Sequence, residues 1–151
     1  MSQTTLSVDD TRTVIETLQK RFPHIVAPRK DDICYATQNR QDAVKKLCET
    51  VDLLLVVGAN NSSNSNRLRD LGERAGIPSY LIADASHIDN GWFTGVKRVG
   101  VTAGASAPEK LVKQVVQHIQ QQGGTMATEF AGVEETISFS IPKALRRTEN
   151  T

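Results

Sequence analysis

Leu53-Leu54-Leu55-Val56-Val57-Gly58-Ala59-Asn60-Asn61-Ser62-Ser63-Asn64-Ser65-Asn66 passes in one step from branched apolar side chains to a loop of amides and hydroxyls. The run 52–57 is short and uninterrupted, which predicts a strand covered on both faces, as in a parallel sheet. Beyond the polar loop, Leu68, Leu71 and Ala75 recur at helical spacing, and Gly76 is placed to end that helix. Upstream, Ala43, Val44, Leu47, Cys48 and Val51 mark one face of another helix. Downstream, residues 79–83 read as a second strand, 86–89 as a short turn or helix, and 98–102 as a third strand running into Ala103-Gly104-Ala105-Ser106. A long helix then starts near Pro108, turns Leu111, Val112, Val115, Val116 and Ile119 inward, and stops at Gly123-Gly124. Strands alternating with helices predict an α/β fold, a small parallel sheet flanked by helices with right-handed crossovers.

The two ends of the chain read differently. Ser7 is placed to cap an early helix, with Asp10 placed to return the bond, and Val14, Ile15, Leu18 and Phe22 predict one buried face before Pro23 stops the run. That helix follows the opening residues without the apolar strand that usually precedes one, which reads as a fragment. Pro28, Arg29 and Lys30 lie in a polar stretch that suggests a boundary, with a new unit from about Asp31. Near the other end Ile137, Phe139 and Ile141 alternate with Thr136, Ser138 and Ser140, the period of a half-buried strand ended by Pro142. The βα unit is complete by Gly123, so this strand is expected to join a sheet elsewhere.

Composition narrows the function. The 151 residues carry 18 Lys and Arg against 17 Asp and Glu, a net charge of +1. Such a balance supplies no broad attraction for nucleic acid or an anionic membrane, so any anion site must be local. The seven aromatics show no interleaving with basic residues of the kind that stacks bases. The apolar run 53–57 is far shorter than the ~20 residues of a membrane helix. Two cysteines, Cys34 and Cys48, are too few for a secreted disulfide scaffold and suggest a cytoplasmic setting.

The Ser/Asn loop joins the carboxyl end of a strand to the start of a helix, where backbone N–H groups and the helix dipole favour anions. Ser62, Ser63 and Asn64 add hydroxyl and amide donors there. A solvated turn with one residue capping the helix is the plainer alternative. Ser106 holds the corresponding place after the third strand, and Glu109, three residues on, makes a simple capping box an equal explanation. In a parallel sheet both loops leave the same end, so Ser62, Ser63, Asn64 and Ser106 can converge on a crevice. Neutral donors of this kind suit a phosphate or diphosphate held without Lys or Arg. Cys34 precedes a helix that Thr37 or Asn39 is placed to cap, a setting that stabilises a thiolate, although a cysteine between apolar neighbours is more often packing. Cys48 shares a helix face with Val44, Leu47 and Val51 and reads as structural. His24, His87 and His118 have no ligand spacing, and Trp92 and Phe93 read as an anchor under the loop before the third strand.

The strings Gln3-Thr4-Thr5-Leu6-Ser7-Val8-Asp9-Asp10, Ile33-Cys34-Tyr35-Ala36-Thr37-Gln38-Asn39-Arg40-Gln41, Asn61-Ser62-Ser63-Asn64-Ser65-Asn66-Arg67-Leu68 and Val101-Thr102-Ala103-Gly104-Ala105-Ser106-Ala107-Pro108 occur together and in order. Through them the chain resembles the C-terminal half of the 4-hydroxy-3-methylbut-2-enyl diphosphate reductases, iron-sulfur enzymes of terminal isoprenoid precursor synthesis. The resemblance covers essentially the whole chain. It implies three pseudo-equivalent α/β domains around a 4Fe-4S cluster, with residues 1–30 ending the second, 31–122 forming the third, and 123–151 a tail whose strand returns to a missing first domain. By resemblance Cys34 matches one cluster cysteine. Ser62, Ser63, Asn64 and Ser106 match residues that grip the substrate diphosphate, and Thr4, with Gln3 beside it, matches a threonine near the substrate hydroxyl. The implied partners are 4-hydroxy-3-methylbut-2-enyl diphosphate, a ferredoxin or flavodoxin electron donor, and a missing N-terminal half carrying the other cluster cysteines, the diphosphate-binding histidines and the proton-relay glutamate. The isolated chain is accordingly expected to be inactive and to hold the cluster poorly or not at all. Two other readings stand beside this one. One is a non-redox phosphate-binding or sugar-isomerase-like α/β domain in which Cys34 is silent. The other is a degenerate remnant acting only in assembly.

Overall fold

The computed structural model describes residues 8–26, 35–125 and 127–128. The expectations for Thr4, Ser7, Cys34, the boundary near Asp31 and the tail strand lie outside these residues. Within them the order is α1 (Val8–Arg21), α2 (Tyr35–Cys48), β1 (Leu53–Val57), α3 (Ser63–Arg74), β2 (Ser79–Ile82), two 3₁₀ turns (Ala85–His87 and Asn90–Phe93), β3 (Val99–Ala103) and α4 (Glu109–Gln121). The three strands form a parallel sheet in the order β2-β1-β3. Leu54 lies opposite Ser79 on one side and Gly100 on the other. The expected α/β class is the one observed.

The central strand explains its own composition. Leu54 and Val56 pack with Val44 and Cys48 of α2 and Leu68 and Leu71 of α3. Leu53, Leu55 and Val57 face the other way, onto Ile82 and onto Val115 of α4. Every residue of β1 is buried because each face of the sheet carries its own helical layer. Burial of one such side chain is worth roughly 1.5 to 3 kcal/mol, so this strand anchors both cores. Trp92 and Phe93 pack into the second core, and Trp92 stacks on Tyr80 with ring centroids 3.9 Å apart. They form the expected anchor.

The C-terminal ends of α3 and α4 follow the sequence signals. Past α3, the Gly76 N–H donates to Glu73 O and the Ile77 N–H to Gly72 O; past α4, Gly123 and Gly124 repeat the pattern onto Gln120 and Ile119. Gly76 and Gly123 sit at φ +82° and +107°, a left-handed backbone that glycine adopts without strain. At β3 the Asp52 side chain accepts the N–H groups of Lys97 (3.1 Å) and Arg98 (2.9 Å), pinning the strand's entry to that of β1. These bonds, that of Arg98 foremost, hold the Asp52 carboxyl below the usual aspartate range.

Three expectations are corrected. The apolar stripe has no fully buried member among the described residues: Val14 is 57% exposed and Leu18 is open, Ile15 is half-buried, and Phe22, just past α1, is 52% exposed. Both faces of the sheet are already occupied by α2, α3 and α4, so α1 is fastened by charge instead. Asp9 pairs with Lys45 at 2.7 Å, and Asp10 with Arg74 at 3.1 Å. Thr37 and Asn39 do not cap α2, because that helix already runs from Tyr35. Nor does Ser106 form a capping box: Pro108 is the N-cap of α4 and Glu109 pairs with Lys113.

Candidate functional site

α3 begins where the polar loop meets the end of β1. Ser62 is its N-cap, and its Oγ accepts the Ser65 N–H at 3.3 Å. The plain capping reading is therefore true of Ser62, yet it accounts for only one of the donors at this end. A helix leaves its first N–H groups without intrahelical acceptors, so those of Ser63 and Asn64 still face out of the helix start. The Ser63 side chain is exposed. That of Asn64 is only 8% exposed, and among the described residues neither its Oδ1 nor its Nδ2 has a hydrogen-bond partner. A buried amide left this way costs about 1 to 3 kcal/mol unless something meets it. The loop is held in shape by Asn66, whose Nδ2 donates to Asn60 O (2.8 Å) and Ser62 O (3.0 Å).

The two loops leave adjacent strand ends. The Gly58 N–H donates to Ile82 O and the Gly104 N–H to Val57 O, both at 2.9 Å, so the ladder continues one residue past each strand. The Ser65 side chain fits between Gly58 and Gly104, and a β-carbon on either glycine would collide with its Oγ. The start of α3 thus rests on the ends of β1 and β3 together. With β2 on one side of β1 and β3 on the other, the chain reverses its winding direction between β1 and β3, which is where open α/β sheets form their ligand crevice. Ser106, exposed, lies on the tight turn that follows, closed by the Ala107 N–H on Gly104 O at 3.0 Å. Ser62, Ser63 and Asn64 share one helical turn, and Ser106 stands two residues past the glycine that turn touches.

A cation also reaches this end, contrary to the expectation of neutral donors alone. Arg40 of α2 directs Nη1 to Ala103 O at 2.9 Å, one residue before Gly104. Its signal was available: Arg40 lies three residues after Thr37 and four before Val44, on the flank of a helix face buried at Thr37, Gln41, Val44 and Cys48. Close to the site the buried face is polar, with Thr37, Gln41, Asn64 and Ser65, whereas farther along α2 and α3 it is apolar.

Metal ligation is not what these residues are suited to. Cys48 is buried among Val44, Leu54, Leu68 and Leu71, and burial pushes its thiol up, away from the thiolate an iron ion requires. Among the described residues no group of three or more His, Cys, Asp or Glu is placed to hold a metal ion. His87 is an exposed partner of Asp84 (3.1 Å), whose carboxyl is held low chiefly by its bonds from Ser86. An open groove of about 350 Å³ lined by Asp9, Lys45, Cys48, Glu49, Leu71, Arg74 and Ala75 lies at the last turns of α2 and α3, the opposite end from the strands' carboxyl ends. No described helix is long and apolar enough to cross a membrane.

Fold and junction together define a parallel α/β domain with hydrogen-bond donors gathered at its winding reversal. The model of the LytB protein family matches residues 1–120, and the chain belongs to that family. It is 64% identical over 146 residues to the 4-hydroxy-3-methylbut-2-enyl diphosphate reductase of Idiomarina loihiensis and 59% identical to that of Psychrobacter arcticus, covering 97% of this chain and 46% of each relative. The chain therefore spans about half the length of the curated relatives it matches. The solved structure of the E-1-hydroxy-2-methyl-but-2-enyl-4-diphosphate reductase from Plasmodium falciparum superposes with a TM-score of 0.73 at 36% identity, over 76% of this chain and 36% of that one. A second solved reductase, described as the terminal enzyme of the non-mevalonate pathway, gives 0.58 at 35% identity, over 79% of this chain and 42% of that one.

Proposed function

We propose that this chain is the C-terminal half of a 4-hydroxy-3-methylbut-2-enyl diphosphate reductase and supplies much of its diphosphate pocket. In that reaction the substrate's C–OH bond is broken with two electrons and two protons, water leaves, and isopentenyl and dimethylallyl diphosphates form. One observation carries the binding role: the first turn of α3 holds a buried Asn64 amide with no partner among the described residues, beside N–H groups that the helix leaves unsatisfied. A diphosphate oxygen is the acceptor such a set lacks. Ser62, Ser63 and Asn64 take one side of the diphosphate and Ser106 the other, with the Arg40 guanidinium adding charge at the end of β3.

On this reading residues 1–30 close a second domain, 31–122 form a third, and 123–151 are a tail. Thr4 lies near the substrate hydroxyl. Cys34 provides one thiolate of a 4Fe-4S cluster whose other cysteines belong to length that the relatives have and this chain does not span. When bound, such a cluster supplies the electrons and a Lewis-acidic iron. A ferredoxin or flavodoxin feeds it in the cytoplasm, and the chain by itself is inactive.

The test joins the chain to the remaining N-terminal length of the Idiomarina loihiensis reductase, reconstitutes iron and sulfide without oxygen, and assays the substrate with a reduced dye. Activity is expected, Cys34→Ser abolishes it together with the cluster colour, and Ser62→Ala and Asn64→Ala each weaken substrate binding about tenfold, the worth of one hydrogen bond to a charged acceptor. A folded hybrid without reductase activity, or a Cys34→Ser variant that keeps it, overturns the proposal.

A further inference from the structure

Ser65 is the one hydroxyl of the α3 start that is wholly buried, with 0% exposure. Its Oγ donates to Ser62 Oγ at 3.1 Å, and the same Ser62 oxygen accepts the Ser65 N–H at 3.3 Å. The direction of the first bond is fixed by burial. Were Ser62 to donate instead, the buried Ser65 hydrogen would have no acceptor among the described residues, the costly case for a polar group. A serine oxygen has two lone pairs. Residue 65 takes both on Ser62, so the Ser62 hydroxyl has only its hydrogen left to offer.

Ser65 also sets where that hydrogen sits. Its side chain lies against Gly58 and Gly104, so the first turn of α3 comes as close to the ends of β1 and β3 as two absent β-carbons allow. Removing Ser65 Oγ would leave a β-carbon at Gly104 with Ser65 Cβ at 3.4 Å, an ordinary contact, but one at Gly58 still at 2.8 Å, a clash. The next residue back, Asn64, is 8% exposed with its amide unpartnered among the described residues, an independent mark that the turn awaits a ligand.

We propose that Ser65 is a positioning residue that makes Ser62 a donor-only hydroxyl and fixes its distance from the sheet, so that this turn selects a deprotonated oxygen such as those of a diphosphate. The inference rests on the diphosphate reading of the junction and goes beyond it by naming what orients the ligand-facing group. Ser65 itself touches no ligand and acts through Ser62.

The test uses the full 151-residue chain and inorganic pyrophosphate as probe, with affinity read by calorimetry and by amide shifts of residues 62–64. Ser62→Ala weakens binding about tenfold, the loss of one hydrogen bond to a charged acceptor. Ser65→Ala weakens it by less, and the double variant binds no more weakly than Ser62→Ala alone, because the second change acts through a group already gone. Fold-losses that multiply overturn the relay, since a merely structural role predicts independence. Packing is judged without ligand. Gly104→Ala lowers the urea midpoint and Ser65→Ala restores it, whereas Gly58→Ala stays impaired beside Ser65→Ala. A Gly104→Ala midpoint that Ser65→Ala leaves unrestored overturns the packing role. Wild-type chain that ignores pyrophosphate overturns the diphosphate reading and the donor role with it, while the Gly104 pair still decides whether Ser65 sets the position of α3.

Discussion

Replacing Asn64 with leucine separates folding from binding at one side chain. Asn64 is 8% exposed and both amide atoms lack partners among the described residues, so the unliganded chain carries their desolvation without return. Leucine branches at the same carbon and has no polar atom to satisfy. Removing an unmet buried polar group is worth about 1 to 3 kcal/mol. With a urea dependence of about 2 kcal/mol per molar, the midpoint of Asn64→Leu rises by roughly 0.5 to 1.5 M. Pyrophosphate affinity moves the other way and falls about tenfold, the loss of a hydrogen bond to a charged acceptor. Urea unfolding followed by circular dichroism, with pyrophosphate titration of the same samples, measures both. A variant that is less stable than the wild type and binds pyrophosphate equally well would refute the reasoning, because Asn64 would then be a satisfied structural amide.

Further outcomes follow from other parts of the molecule. Arg40→Met, which removes the guanidinium bonded to Ala103 O, weakens pyrophosphate binding and flattens its salt dependence in a titration from 20 to about 200 mM salt; an unchanged salt slope places Arg40 outside the ligand's field. Asp52 has its folded pKa depressed, so its contribution to stability is present above the ordinary aspartate range and is lost as pH falls through the folded value. The urea midpoint of the wild type therefore exceeds that of Asp52→Asn at pH 7, and the gap closes in acid; a gap independent of pH refutes the charge-based clamp. Leu18→Glu and Phe22→Ser, on the open stripe of α1, shift the midpoint by no more than about 0.3 M, whereas Leu55→Ala in β1 costs about 2 to 5 kcal/mol. Equal losses would mean that the stripe is covered. The chain purified without oxygen is expected to hold much less than stoichiometric iron and sulfide, measured by colorimetric assay, and a full cluster complement contradicts the proposed sharing of ligands.

Local chemistry determined much of this protein from its sequence. An apolar run without alternation required a strand buried on both faces, and β1 packs α2 and α3 with one set of residues and α4 with the other. Gly76 and Gly123 marked helix ends through a backbone only glycine takes easily, and the Ser/Asn loop marked a helix start whose cap the structure shows to be Ser62. These signals are legible because each depends on residues within a turn or two of itself. What tertiary structure alone decided depends on neighbours far along the chain. Ser65 reads as one more polar loop residue until Gly58 and Gly104 close around it, and Arg40 as a solvated helix charge until β3 brings Ala103 to it. Asn64 became a buried amide only because the start of α3 lies over two strand ends. The apolar stripe of α1 shows the converse. Its period foretold a face that seeks cover, but whether cover exists depends on what the other elements leave open, and here both sides of the sheet were already taken.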